Sequence, residues 1–239
     1  MPAEHIETLD YYWSFRSHYC YLGLDRVLAI EHTFPIDIQF RPVYPLAIRT
    51  PEFFSSMPKS GPNRWAYIMH DAERIAERRN LSFAWPDPDP VIMDMDNFVV
   101  ASKQPYIHRL TRLGVAAARL ELGMVFAKVV SGLIFGGTKN WHEGNVMHDA
   151  LAAVDVDLDR LDEQVSANPS DFDREIEANQ EALAEAGHWG VPTVVFRGEP
   201  FFGQDRIIDL LWRMKQQGVE AIDVTGQQRK LSLVEPEDV

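Results

Sequence analysis

Four consecutive residues, Ser17-His18-Tyr19-Cys20, have the spacing of a Cys-x-x-Cys motif with serine in the leading place, and they lie where an alternating apolar run gives way to a helical pattern. Free backbone amides and the helix dipole at such a junction favour an anion, a thiolate included. A serine hydroxyl cannot form a disulfide, but it can donate a hydrogen bond to a sulfur and so favour the ionised form. Ser17 is therefore placed to make a ligand's thiol reactive, or to cap the helix, and the two roles are compatible. Cys20, one turn further on, reads as a small buried apolar group, because an unperturbed thiol has a pKa near ~8.5 and burial raises it. His18 reads as a proton-transfer group or as a surface histidine.

Two further segments carry candidate chemistry. In Gly190-Val191-Pro192-Thr193 a proline directly precedes an apolar strand, the setting in which a cis peptide would expose the backbone of Val191 to an extended, peptide-like ligand. In Phe202-Gly203-Gln204-Asp205-Arg206 a carboxylate stands at a second strand-to-helix junction, either to meet an ammonium group or to cap its helix. His142, Glu143 and His148 fit no zinc spacing, so no metal site is expected.

These segments must be positioned by regular elements. Leu9, Tyr11, Trp13 and Phe15 alternate with Asp10, Tyr12 and Ser14 as in a strand that ends near Arg16. Tyr21, Leu24, Val27 and Leu28 then recur at helical spacing, and 34–41 alternates again, which together make a βαβ unit with parallel strands. Beyond Arg41-Pro42, proline-rich loops at 42–62 and 86–90 separate helical stretches, with no strand expected before about residue 191. Trp65, Ile68, Met69, Ala72, Ile75 and Ala76 mark one apolar helix face, and a second helix is expected over 106–122. Strand character returns at 193–196, turns at Arg197-Gly198-Glu199 and resumes at 200–202, a hairpin. A last helix begins at Asp205, turns Ile207, Leu210, Leu211 and Met214 toward a core, and stops at Gly218.

The composition narrows the function classes. With 239 residues, 46% of them hydrophobic and 25% charged, the chain is long enough for one large or two small cores. The net charge of −13 and the lack of a long basic run make nucleic acid and anionic membranes poor partners. No secretory signal is recognisable, and the longest apolar stretch, 122–137, is interrupted by Lys128 and by glycines, so a soluble, cytoplasmic protein is expected. A single cysteine excludes an intramolecular disulfide.

Together the motifs resemble the 2-hydroxychromene-2-carboxylate isomerase family, relatives of kappa-class glutathione transferases in the DsbA-like branch of thioredoxin folds. The resemblance runs through Phe15-Arg16-Ser17-His18-Tyr19-Cys20-Tyr21-Leu22, where the family usually shows Phe-x-Ser-Pro-Tyr-Ser/Ala-Tyr-Leu, and through Arg41-Pro42, the segment from Pro62 to Tyr67, Gly190-Val191-Pro192-Thr193 and the segment from Phe202 to Arg206. His18 and Cys20 stand where the family has proline and serine or alanine. The resemblance implies an α/β, thioredoxin-like fold (βαβ…ββα) carrying a large all-helical insertion domain, with the first part at 1–48, the insertion at 49–186 and the second part at 187–239. It implies glutathione as cofactor, with Ser17 against its sulfur, Val191 and Pro192 along its cysteinyl backbone, Gln204 and Asp205 at its γ-glutamyl end, and Arg64 where the family places a glutathione-binding lysine. A homodimer acting on a small aromatic or unsaturated carboxylate, by isomerisation or transfer, is the corresponding function. Thiol-disulfide chemistry through Cys20 and a non-catalytic binding protein of the same fold are the alternatives.

Overall fold

The structure, a computed structural model, describes residues 7–52, 61–94, 97 and 99–222, with the side chains of 61–64 outside that description. Strand β1 (Glu7–Trp13) buries Leu9, Tyr11 and Trp13 completely on one face, while Tyr12, on the other, packs with Val43, Leu183 and Val195. A strand buried on both faces belongs at the centre of a sheet. β1 accordingly pairs in parallel with β2 (Ile36–Pro42) and antiparallel with β5 (Thr193–Phe196). β6 (Glu199–Phe202) completes the order β2-β1-β5-β6.

Helix α1 (His18–Thr33) makes the crossover from β1 to β2, as the parallel pairing requires. The β5–β6 hairpin turns through Arg197 (φ 48°) and Gly198 (φ 82°), two left-handed residues in succession, the arrangement that matches the twist of paired strands. A 3-10 turn at Gln204–Arg206 leads into the C-terminal helix (Ile207–Gln216), which buries Ile207, Leu210 and Met214 and ends before Gly218, at φ 81°.

Between β2 and β5 lie helices α2 (Leu46–Arg49), α3 (Gly61–Arg78), α4 (Ile107–Ala118), α5 (Gly123–Phe135), α6 (Val146–Ala152), α7 (Leu158–Ala167) and α8 (Pro169–Glu185), which makes the C-terminal helix α9. This is the expected order of strands around a helical block. The block is not a separate body, because one hydrophobic core runs from Leu9 and Trp13 of the sheet through Leu110 of α4 and Phe126 of α5 to Ile176 of α8. Phe15 forms the bridge. It is wholly buried, meets Trp13 and Phe126 edge-on with ring centres 6.0 and 5.6 Å away, and lies over Gly114, where a Cβ would stand 2.6 Å from the ring. Gly123 admits Phe40 of β2 in the same way, with 2.6 Å to an imagined Cβ.

Three sequence expectations are corrected here. The helix expected over 106–122 stops at Ala118, because the chain reverses through Glu121 at φ 61° before α5 begins. A two-residue ladder, β3 (Met93–Asp94) with β4 (Val99–Val100), lies in the block where no strand was expected; it is too short to show an alternating pattern. The apolar face of α3 is divided: Ala72, Ile75 and Ala76 enter the core, whereas Trp65, Ile68 and Met69 line a cleft. Among the described residues no helix is long and apolar enough to cross a membrane.

Phe15→Ala removes the ring that joins the sheet to the helical block, leaving a cavity that rigid neighbours cannot fill. The expected loss of stability is about 3–5 kcal/mol, read from urea denaturation of the two proteins.

Candidate active site

Ser17 is the N-cap of α1. Its Oγ accepts the Cys20 N–H at 3.2 Å and donates to the Val191 carbonyl at 3.4 Å. The first bond is a standard cap; the second is long and therefore weak. Val191 reaches this position through a cis Val191-Pro192 peptide, the form the sequence context suggested. Capping and facing the second segment are thus done by the same hydroxyl.

Around this contact lies a cleft of about 450 Å³. Ser17, Gly190 and Val191 form its base, while Trp65, Trp85, Phe135, Trp189 and Phe202 supply aromatic walls. Two arginines line it, and they differ in their partners. Arg16 is neutralised by Asp89 through two parallel bonds of 2.8 and 2.9 Å. Arg49 makes no ion pair among the described residues; its Nε and Nη2 donate to the carbonyls of Tyr44 and Trp189, both at 2.7 Å. Burial lowers its pKa from the ordinary guanidinium range, and the group stays charged.

His18 is not the surface histidine of the sequence reading. Its ring packs on Tyr19 and Trp85, 4.2 and 5.2 Å from their ring centres, and its Nε2 is buried with no hydrogen-bond partner among the described residues. Burial, reinforced by the Arg16 charge, brings its pKa down to about 4, so the imidazole is neutral near pH 7. Tyr19 donates to Asp71 at 2.8 Å; burial first, then that bond, with the charge of Asp205 adding, raise its phenol. Cys20 is wholly buried, and burial pushes its thiol up to about 12 despite opposing hydrogen bonds at Ser17 and Ser14. An un-ionised, inaccessible sulfur suits packing and not disulfide exchange.

The remaining sequence candidates are distributed unevenly. Val191 lines the cleft, and Pro192 lies immediately behind it, lining a small void with Tyr11 and Gln204. Gln204 is buried, and its side-chain oxygen accepts from Arg26 at 3.4 Å, so its amide faces the interior and does not line the cleft. Asp205 is exposed outside the cleft lining, 3.7 Å from Arg206, and its side chain caps no helix. Arg64 is in the first turn of α3, and its side chain falls outside the described residues.

Sequence reasoning missed Arg49 and the aromatic wall of Trp85, Trp189 and Phe202. Arg49 ends a four-residue helix after Tyr44-Pro45, too short for any periodicity. His188 stacks against Phe202 at 4.0 Å and Trp189 at 5.5 Å, a cluster that His188-Trp189-Gly190 could have signalled, since Gly190 leaves only 2.5 Å between an imagined Cβ and the Phe202 ring.

A four-stranded mixed sheet with a helical block inserted after its βαβ unit, and a cis-proline facing the start of the first helix, defines a thioredoxin-fold protein of the DsbA-like kind. The chain belongs to the DSBA-like thioredoxin domain family, whose match covers residues 8–215. Among solved structures, a 2-hydroxychromene-2-carboxylate isomerase superposes with a TM-score of 0.67 at 16% identity, covering 88% of this chain and 95% of that one. A probable DsbA oxidoreductase from Streptomyces coelicolor gives 0.59 at 14% identity, covering 89% and 90%. The cytosolic disulfide reductase DsbM from Pseudomonas aeruginosa gives 0.53 at 16%, covering 87% and 99%. At such identities the similarity concerns the fold. Comparison with curated protein sequences gives no match.

Two outcomes follow from the buried groups. Iodoacetamide at about pH 8 is expected to modify Cys20 at least about 100-fold more slowly in the folded protein than in denaturant, measured by mass spectrometry. His18 has a folded pKa below its unfolded value of about 6.5, so the unfolded chain binds this proton more readily. The stability due to the neutral ring is full above about pH 6.5 and falls away toward about pH 4. His18→Phe is expected to flatten this part of a stability-versus-pH curve from chemical denaturation, with His108 and His188, both lowered by burial, keeping the rest.

Proposed function

We propose that the protein binds glutathione and uses its thiolate in an isomerase or transferase reaction on a small aromatic or unsaturated carboxylate. The observation that carries this reading is the Ser17 hydroxyl, which opens on an aromatic cleft beside Val191 while the chain's own cysteine is buried and un-ionised. The similarity in fold to a 2-hydroxychromene-2-carboxylate isomerase supports it, as does the likeness to the DsbM reductase, also solved with GSH.

The residues present fit this cofactor. The Val191 N–H donates to no described residue, and its carbonyl holds only the long Ser17 bond. Both groups can therefore pair with the backbone of an extended cysteinyl residue, as in strand addition. Ser17 then turns its hydroxyl from Val191 to the ligand sulfur and stabilises the anion, helped by the N-terminal dipole of α1. When bound, glutathione supplies a nucleophile that adds to an electrophilic carbon and is released once the bond has rotated or the ring has opened.

The cleft's own groups supply the rest. Flat aromatic walls favour a flat acceptor and exclude water from it. His18 presents a neutral ring beside Ser17 and lines the cleft, packed against Tyr19 and Trp85. Burial keeps His18 uncharged, and Arg16, held by Asp89, adds to it. Gln204 faces inward, so of the two residues assigned to the γ-glutamyl end only Asp205, exposed near Tyr19, offers its side chain to an ammonium group.

Isothermal titration of glutathione into wild type and Ser17→Ala, with an ultraviolet pH titration of the bound thiol, tests the reading. Wild type is expected to bind and to lower the thiol pKa by about a unit or more, with Ser17→Ala losing most of that lowering. Absence of binding by wild type at millimolar glutathione would remove the proposal in favour of a binding protein for another ligand.

A further inference from the structure

Consecutive residues of an extended segment turn their backbone groups to opposite edges. In Trp189-Gly190-Val191 the groups of Gly190 are already used on the inner edge: its N–H donates to His188 Nδ1 at 2.9 Å and its carbonyl accepts from Thr193 Oγ1 at 2.7 Å. The edge that faces the cleft is left to Val191 and Trp189. A ligand residue that exchanges both of its backbone bonds with Val191 is paired antiparallel, because in a parallel ladder those two bonds go to different residues. An antiparallel ligand runs from Val191 back toward Trp189 as it runs toward its own C-terminus.

At that end the ladder is closed. The Trp189 carbonyl, which would accept the next bond from a longer ligand, accepts instead from Arg49 Nη2 at 2.7 Å. The guanidinium is held from its other side by the Tyr44 carbonyl, and Tyr44 is itself fixed, its phenol donating to Asp173 at 2.9 Å and its N–H to Gln180 at 3.2 Å. No carboxylate neutralises Arg49 among the described residues, although Glu52 lines the same outer lobe of the cleft. A fixed, cleft-lining cation at the place where pairing must stop is a receptor for a terminal carboxylate.

We infer that Arg49 binds the C-terminal carboxylate of a peptide-like thiol ligand that extends one residue beyond its cysteine along Trp189-Gly190-Val191. The inference rests on the glutathione reading and adds to it a length and charge requirement at the glycyl end. Substitution of Arg49 is then expected to weaken the acid and to leave a ligand without that charge almost untouched.

The test is isothermal titration of glutathione and of its glycyl monoethyl ester into wild type, Arg49→Met and Arg49→Lys, with thermal unfolding recorded for each protein. Wild type is expected to bind the acid about 10-fold or more tightly than the ester, the range of a charge-assisted pair. Arg49→Met is expected to bind both at the level of the ester on wild type, and Arg49→Lys to lie between, since an ammonium keeps the charge and loses the fork. Equal binding of acid and ester by wild type overturns the role of Arg49 while the glutathione reading stands. Undiminished discrimination in Arg49→Met overturns it equally and assigns the carboxylate to another group. Failure of wild type to bind either ligand overturns both readings. Thermal unfolding identifies a variant that folds poorly; loss of discrimination in whichever of Arg49→Met and Arg49→Lys is folded assigns the carboxylate to Arg49, and a wild-type ratio near one overturns the inference without either variant.

Discussion

The burial of β1 on both faces governs the rest of the molecule. Tyr11 and Trp13 point into the common core, Tyr12 into the smaller cluster under α8, and Phe15 continues past the end of the strand to lie among α4 and α5. With those side chains fixed, the chain has one place to turn, between Ser14 and Ser17, and the Ser17 N–H closes that turn on the Ser14 carbonyl at 3.0 Å. The start of α1 is therefore set by packing over the whole core and not by the capping bond alone. Polar groups at this point inherit the rigidity of the interior.

The candidate site assembles three segments that are distant in sequence on that fixed edge. Antiparallel pairing of β5 with β1 brings Val191 to Ser17, and the parallel β2, entering α2, brings Arg49 to Trp189. The charges are arranged with economy. Arg16 and Asp89 compensate one another, Cys20 and His18 are kept neutral by burial, and Arg49 is left as a cleft-lining cation without an ion-pair partner among the described residues. The proposed ligand, which brings its own sulfur and a terminal carboxylate, matches these charges, and Cys20, buried and un-ionised, offers no exposed thiolate among the described residues.

Much of this was legible in the sequence, for local reasons. The period-two runs of β1 and β2, the hairpin around Arg197-Gly198, the stop at Gly218 and the serine at the start of α1 each depend on residues within a few positions of one another. The sequence by itself also determined that Ser17 and not a cysteine leads the motif, that Cys20 has no second cysteine within this sequence to pair with, and that Val191 precedes a proline.

Tertiary structure alone decided which of these groups meet and in what state of charge. His18 is neutral because Trp85 and Tyr19 enclose it and Arg16 lies beside it, and Trp85 is separated from it by most of α1, β2 and α3. Gln204 faces inward because Gly23 lets α1 approach it, leaving 2.8 Å between an imagined Cβ and the glutamine's own, with Arg26 supplying its partner. Arg49 becomes a cleft residue only when β2 and β5 are paired on the two sides of β1, which brings the segments that follow β2 and precede β5 together. Desolvation and long-range pairing have no local signature, which is why motif spacing identifies the family's elements and only the packed chain shows which of them face the cleft.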